Sequence, residues 1–465
     1  MSPFIARSLY RLQERMLGRR TFALLSQLRE SQSYTREAME SLQYERLRRT
    51  VRLAYEHTAY WRELMDERDI RPDRLRSLDD LRRFPLLDKA TLRKQGWAAH
   101  WLDGGRRVRM ARTSGSTNTP LEFYTSANRE AHINAARIRG HEWVGMRRGE
   151  REMYFWGSPI ELNKQDRVKR VRDWLVNDGL VSCFNLQESS VKRYYRALIR
   201  FQPKCIFGFP SSIALFASIA QRQGLDLSSL KERGLAMVIA TAEPLGENRQ
   251  ILADAFGVPV FDSYGLREVG LVCHDCGAQR MHCTEEQMIV ETVDPETLEP
   301  TDGEGEIVVT NVVGVVMPMI RYRTGDIGRL SSKPCPCGLG LRTLEITGGR
   351  SVDFIVTSEG RWVAGYIFPY LMREVPGIVK LQARQERLGQ VRVLVTTDER
   401  YSPQSTVAMR YILRKRLQCD DEIFIEQVDD IPPLPSGKHR VVVSQVAEEL
   451  RRQSEYCRSA VQRSE

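Results

Sequence analysis

The sequence predicts an α/β protein with a large N-terminal domain, in which strands feed helices before a β-rich end, followed by a small C-terminal α+β domain. Three observations predict it. A short apolar run, a Gly, Pro or polar turn and then a helical or loop pattern recur at 150–159, 204–220, 235–245 and 258–270. From 287 the texture changes to short β-like runs, clearest in 305-GEIVVTNVVGVVMPMIRYRTGDIGRL-330. After 348-GGRSVD-353, which reads as a hinge, strand and helix patterns alternate through 391–397, 403–417 and 422–428. At 465 residues the chain is long for a single core, which also favours two domains.

Taken in order, 1–20 reads as a basic amphipathic helix, with Phe4, Ile5, Leu9, Leu12 and Met16 against Arg7, Arg11, Arg15 and Arg19. Packing on its own domain is the default reading; contact with an anionic membrane is the alternative. Residues 36–70 are helical, since Leu47, Val51, Ala54 and Tyr55 recur at helical spacing. In 84-FPLLDKATLRKQ-95 a Pro precedes Asp88, a candidate helix cap. These make 1–100 a helical N-terminal part, 101–349 the core of the large domain and 350–465 the small domain. Within the core, 127–145 is helical, 150–159 ends as a buried strand, and 204–220 is strand, Pro turn and helix. The run 235–245 is strand then polar loop, and 258-VPVFDSYGLREVG-270 repeats the pattern. Loops at the carboxyl ends of such strands are where ligands bind.

Composition excludes several classes. Hydrophobic residues make up 42% and charged residues 28%, as in a soluble globular protein, and no apolar run is long enough to span a bilayer. Residues 1–20 have no continuous apolar region or small-residue cleavage site of a secretory signal. The net charge of +10 is spread along the chain, without a nucleic-acid-reading motif. Nine cysteines without an export signal point to reduced thiols or a metal site in the cytoplasm.

The chemistry gathers in five motifs: 113-TSGST-117, 241-TAEPL-245, 263-SYGLRE-268, 323-RTGD-326 and 436-SGK-438. The first follows a basic run and suits a loop whose backbone N–H groups and hydroxyls wrap phosphate oxygens. In this order, almost end to end, they resemble the acyl-adenylate-forming (AMP-binding) superfamily. The resemblance is greatest to phenylacetate-CoA ligases and their relatives associated with capsular polysaccharide biosynthesis, and it includes the helical stretch 42–65.

The resemblance implies a large adenylate-forming domain and a mobile small domain carrying the lysine loop. It implies that Thr113, Ser114, Gly115, Ser116 and Thr117 grip the ATP phosphates, that Ala242, Glu243 and Pro244 border the adenine, and that Ser263, Tyr264 and Gly265 line the nucleotide and acyl pocket. Glu268 would hold Mg2+, Asp326 the ribose hydroxyls with Arg350 close by, and Lys438 the α-phosphate. A carboxylate attacking the α-phosphorus builds negative charge on phosphoryl oxygens, which Mg2+, N–H donors and a lysine counter.

Two departures stand out: Asn118 and Thr119 replace the Gly and Lys common before the loop proline, and 357-TSEGRWVAGYIFP-369 replaces the Gly-Val-Asn-Phe-Pro type loop near CoA. The cysteines 273-CHDCGAQRMHC-283 and 335-CPC-337 suit tetrahedral zinc. The resemblance places that structural ion on Cys276, His282, Cys335 and Cys337, with Cys273 and Cys283 as spares or substitutes.

The expected activity is therefore ATP- and Mg2+-dependent adenylation of a carboxylic acid, aryl or otherwise apolar, then transfer to CoA. An amine acceptor is the alternative. From another class, a non-catalytic nucleotide- or zinc-binding scaffold docking on an anionic surface stays open, as does a homodimer. Phe155, Trp156, Phe207 and Phe209 fall near the expected acyl pocket, with core packing as their other explanation.

Overall fold

The computed structural model describes residues 1–101, 108–112, 121–156, 166–182, 188–246, 248–295, 297–314, 316–348, 354–360, 362–364, 368, 375–417, 420–432, 441–447 and 449. The chain divides into two compact units: Met1–Thr324 with Gly328–Glu345, and Gly325–Ile327 with Ile346–Glu465.

The first unit opens with helices α1 (Pro3–Met16), α2 (Thr21–Ser31), α3 (Arg36–His57), α4 (Ala59–Glu67) and α5 (Lys89–Gln95). The hydroxyl of Thr35 and the carboxylate of Asp88 cap α3 and α5, accepting from Ala38 and Thr91 N–H groups. A short hairpin of β1 (Arg109–Arg112) and β2 (Glu122–Thr125) then leads into α6 (Ala127–Trp143). The strand–helix alternation follows: β3 (Glu152–Trp156), α7 (Asp166–Leu175), β4 (Asp178–Ser182), α8 (Glu188–Phe201), β5 (Cys205–Gly208), α9 (Pro210–Arg222), α10 (Ser229–Glu232), β6 (Met237–Thr241), α11 (Asn248–Phe256) and β7 (Val260–Leu266). The remaining strands are β8 (Gly270–Asp275), β9 (Met281–Cys283), β10 (Met288–Val293), β11 (Glu304–Asn311), β12 (Tyr322–Ser331) and β13 (Thr343–Gly348).

Strands β3 to β13 form one sheet of eleven in the order β10-β11-β12-β13-β9-β8-β7-β6-β5-β3-β4. From β4 to β7 all pairings are parallel, and the central runs are apolar up to Thr241, with all of Cys205–Gly208 and Met237–Thr241 buried, as strands covered on both faces require. Phe155, Val181, Ile206 and Val238 pack against Val191 and Leu198 of α8, Phe216 of α9 and Phe256 of α11. The opposite face carries Tyr154, Trp156, Phe207, Ile239 and Phe261.

One expectation is corrected at β7. The pattern at 258–270 does not feed a helix: β7 turns through 267–269 into antiparallel β8. The physical reason is Gly270, whose φ of +109° closes a hairpin that a side chain would strain. No helix among the described residues is long and apolar enough to cross a membrane.

The second unit has a four-stranded sheet, β18-β17-β16-β19, built from β16 (Ile378–Gln385), β17 (Gln390–Thr397), β18 (Glu422–Gln427) and β19 (Val442–Ser444), after a hairpin of β14 (Phe354–Val356) and β15 (Trp362–Ala364). Helix α12 (Pro403–Leu417) buries Met409, Leu413 and Leu417 against Val391, Val393 and Val395.

Candidate active site and a cysteine–histidine cluster

The parallel strands deliver two of the five motifs side by side. Thr241 at the end of β6 is in register with Ser263 of β7, and its hydroxyl donates to the Ser263 carbonyl at 2.6 Å. Ala242 follows with φ +68°, an unusual conformation for a residue with a Cβ and a mark of local strain where 242–244 leaves the sheet. Glu243 is partly buried and Pro244 exposed. Ser263 is buried, while Tyr264 and Gly265 are half-buried at the carboxyl end of β7. Gly265 has a packing reason, since a Cβ there would lie 2.6 Å from the Gly270 carbonyl oxygen across the hairpin.

Glu268 occupies the β7–β8 turn. It is not a surface acid: it is 4% exposed. Its Oε1 faces Lys89 Nζ at 2.9 Å and accepts from the Tyr322 hydroxyl at 2.7 Å. Burial alone would push the carboxyl up; Lys89 and Tyr322 outweigh it and hold Glu268 below the usual carboxylate range. Lys89 is the first residue of α5, and Leu87 bridges to Tyr322, which ties the helix start to β12. Neither Lys89 nor Tyr322 was singled out by sequence reasoning, because each is linked to Glu268 only through the fold.

Asp326 lies four residues beyond Tyr322 on β12 and is buried. Thr113, Ser114, Gly115, Ser116, Thr117, Arg350 and Lys438 fall outside the described residues.

The aromatic candidates divide by strand parity. Phe155 is fully buried in the face packed by α8, α9 and α11, so its role is core packing. Trp156 points to the other face and stacks on Phe209, ring centroids 4.3 Å apart, with the Phe207 ring 6.3 Å away. These rings stand at the carboxyl ends of β3 and β5.

The second constellation is Cys276, His282, Cys335 and Cys337, whose ligand atoms all lie within 4.8 Å of one another. Cys276 Sγ is 3.7 Å from Cys335 Sγ, and His282 Nε2 is 3.2 Å from Cys337 Sγ. A tetrahedral zinc with Zn–S bonds of about 2.3 Å has ligand separations of about 3.8 Å, so the donor set and spacing fit. His282 Nδ1 lies 2.8 Å from the Leu341 carbonyl oxygen, which makes that nitrogen the donor and leaves Nε2 as the ligand. Cys273 and Cys283 are instead partners across β8 and β9, and burial pushes both thiols well up.

Comparison with known proteins gives the same direction. Residues 355–445 match the CapK C-terminal domain. The chain is 27% identical over 340 residues to a phenylacetate-coenzyme A ligase of Thermus thermophilus, covering 70% of this chain and 74% of the relative. It is 22% identical over 417 residues to protein CapK of Staphylococcus aureus, covering 87% and 89%. The chain is a homologue of both. A crystal structure of 2-hydroxyisobutyryl-CoA ligase in the postadenylation state, bound to R3-HIB-AMP, superposes with a TM-score of 0.71 at 18% identity, covering 92% of this chain and 94% of that one. The fold is therefore that of the adenylate-forming ligases.

Proposed function

We propose that this chain activates a carboxylic acid with ATP and Mg2+, releasing pyrophosphate and forming an acyl-AMP, and then transfers the acyl group to CoA. The observation that carries the proposal is the meeting of Thr241 with Ser263, which starts the 241–244 and 263–265 segments side by side at the carboxyl ends of β6 and β7, shortly before the buried Glu268. Relatives named phenylacetate-coenzyme A ligase support the reaction type.

In this reading Thr113 to Thr117 grip the phosphates, Ala242 to Pro244 border the adenine, Ser263 to Gly265 line the cleft, and Asp326 accepts from the ribose hydroxyls with Arg350 near it. Lys438 neutralises the α-phosphate as the acid's carboxylate attacks. Glu268 offers the hard oxygen donor that would hold Mg2+, which would supply charge neutralisation for the phosphate oxygens. Lys89 and Tyr322 keep that carboxylate charged and oriented. The stacked Trp156 and Phe209 favour an aryl or other apolar acid. Cys276, His282, Cys335 and Cys337 would hold a zinc ion in a structural role, between the β8–β9 hairpin and the 335–337 loop. Use of ATP and CoA supports a cytoplasmic location.

The test is pyrophosphate release from ATP over a panel of aryl, fatty and amino acids, each with and without CoA. Release stimulated by CoA with one acid is the expected result. Release indifferent to CoA would move the acceptor to an amine, and release independent of any acid would refute the reaction.

A further inference from the structure

The N-terminal helix is built inside out. At 100° per residue, Phe4, Ile5, Leu12 and Met16 of α1 share an arc of about 120°. An apolar stripe of that width ordinarily faces the core, and the sequence reading expects this one to do so. Instead these four are exposed, Phe4 by 80% and Met16 by 70%.

What docks α1 is its other side. Ala6 and Glu14 are buried there. The Glu14 carboxylate accepts from the hydroxyl of Thr21, from Asn134 Nδ2 at 3.0 Å and from Arg19 Nη1 at 3.1 Å. Tyr10 lies under the Arg148 guanidinium, 4.1 Å from its ring centroid. Asn177 Nδ2 donates to the Met1 carbonyl at 3.1 Å, and Gly149 comes so near that a Cβ would stand 2.3 Å from the Pro3 carbonyl oxygen. The orientation is thus fixed by specific contacts at both ends of the helix.

The docked side of α1 is tied to the edge of the large sheet. Arg148, which covers Tyr10, also pairs with Asp178 at the start of β4. β4 is an edge strand, and its Leu180 is exposed. Helix α8 packs on the Phe155 face through Val191 and Leu198. The chain enters β4 from β3 and returns past it to β5, so right-handed crossovers put α7 on the opposite face, the one Leu180 shares with Tyr154. That helix exposes Val171 and Trp174. Five arginines and a single acid, the inward-facing Glu14, occupy residues 1–20, and Arg11, Arg15 and Arg20 are exposed.

We propose that α1, with α7 and the β4 edge, is a docking surface for an anionic lipid bilayer. Large apolar side chains interleaved with arginines on one fixed, outward stripe match an interfacial helix, whose apolar groups enter the acyl boundary while the guanidinium groups meet lipid phosphates. A second copy of the chain is the less suitable occupant, because a two-fold contact through this stripe sets Arg11 and Arg15 against the same positive surface.

The test is co-sedimentation of the full-length protein with vesicles of phosphatidylcholine alone and with added phosphatidylglycerol, at low and high salt. Two double variants accompany it, Phe4→Ser with Met16→Ser and Arg11→Gln with Arg15→Gln. All four positions are exposed, and circular dichroism checks that each variant is folded. Binding to the phosphatidylglycerol vesicles only, weakened by salt and by about tenfold in each variant, is expected. Absence of binding, binding unchanged in both variants, or a dimer in analytical ultracentrifugation that Phe4→Ser with Met16→Ser dissociates would overturn the proposal.

Discussion

Replacing Lys89 by Met removes the cation in direct contact with Glu268 and leaves a carboxylate that is 4% exposed, with Arg129 acting on it from further away. At 2.9 Å the pair attracts by about 6 kcal/mol at an effective dielectric of 20, most of which offsets the desolvation of the two groups. Removing one member of a fully buried pair typically costs about 3–5 kcal/mol. Here the Lys89 side chain is 27% exposed and the Tyr322 hydroxyl still donates to the stranded carboxylate, which lowers the expected loss to about 2 kcal/mol. Glu268→Gln should cost less, about 0.5–1 kcal/mol, because the ammonium can turn to water and a glutamine still accepts from Tyr322. The double variant should be more stable than Lys89→Met alone, since no buried charge remains unpaired. Urea unfolding of the four proteins, followed by far-UV circular dichroism without nucleotide or Mg2+, reads all three values. A Lys89→Met cost no larger than that of Glu268→Gln would refute the view that burial of the carboxylate governs this site.

Two further outcomes follow from other parts of the molecule. If Cys276, His282, Cys335 and Cys337 hold zinc, purified protein should carry about one ion per chain by elemental analysis, and Cys335→Ser should lose it and melt at lower temperature; equal metal content in the variant would exclude this ligand set. Burial, aided by nearby Asp275, raises Asp262 to about 7 despite the opposing Ser263 N–H and Arg249. Because the unfolded chain gives up that proton near pH 4 and the folded protein keeps it to about 7, Asp262 lowers stability progressively as pH rises through that window. Asp262→Asn keeps an acceptor for Ser263 N–H, 2.8 Å away, so its advantage should grow from pH 4 to pH 7 and reach about 2 kcal/mol, half the full linkage because the side chain is only partly shielded; an advantage independent of pH would contradict the assignment.

Much of the fold was legible because apolar runs bounded by Gly and Pro specify the buried parallel strands. The run 204-KCIFGFPSSIALFASIA-220 yields β5, a turn at Phe209 and α9 starting at Pro210. The run at 258–270 misled because one residue, Gly270, decides between a hairpin and a helix entry, and its signal is local and weak. Periodicity located the apolar stripe of α1 but could not say which side is buried. That choice rests on Glu14 finding Thr21 and Asn134, the latter far along the chain. The cysteine-rich runs 273–283 and 335–337 were readable in the sequence, but the choice of Cys276, His282, Cys335 and Cys337 within them came from the family resemblance; in the structure Cys276 and His282 flank a tight hairpin and Cys335 and Cys337 share one short turn. Lys89 was not readable, because no periodicity or motif links it to Glu268; the Leu87–Tyr322 bridge ties the start of α5 to β12, whose Tyr322 meets Glu268.

Exchange of labelled pyrophosphate into ATP measures acyl adenylation directly, without reference to the acceptor. Mg2+-dependent exchange is expected to appear with one class of carboxylic acid and to fall by about a hundredfold or more in Lys438→Ala, in line with removal of a single transition-state charge contact. Exchange that proceeds equally in Lys438→Ala, or that no acid in an aryl, fatty and amino acid panel can elicit from the folded protein, would contradict the proposed adenylation.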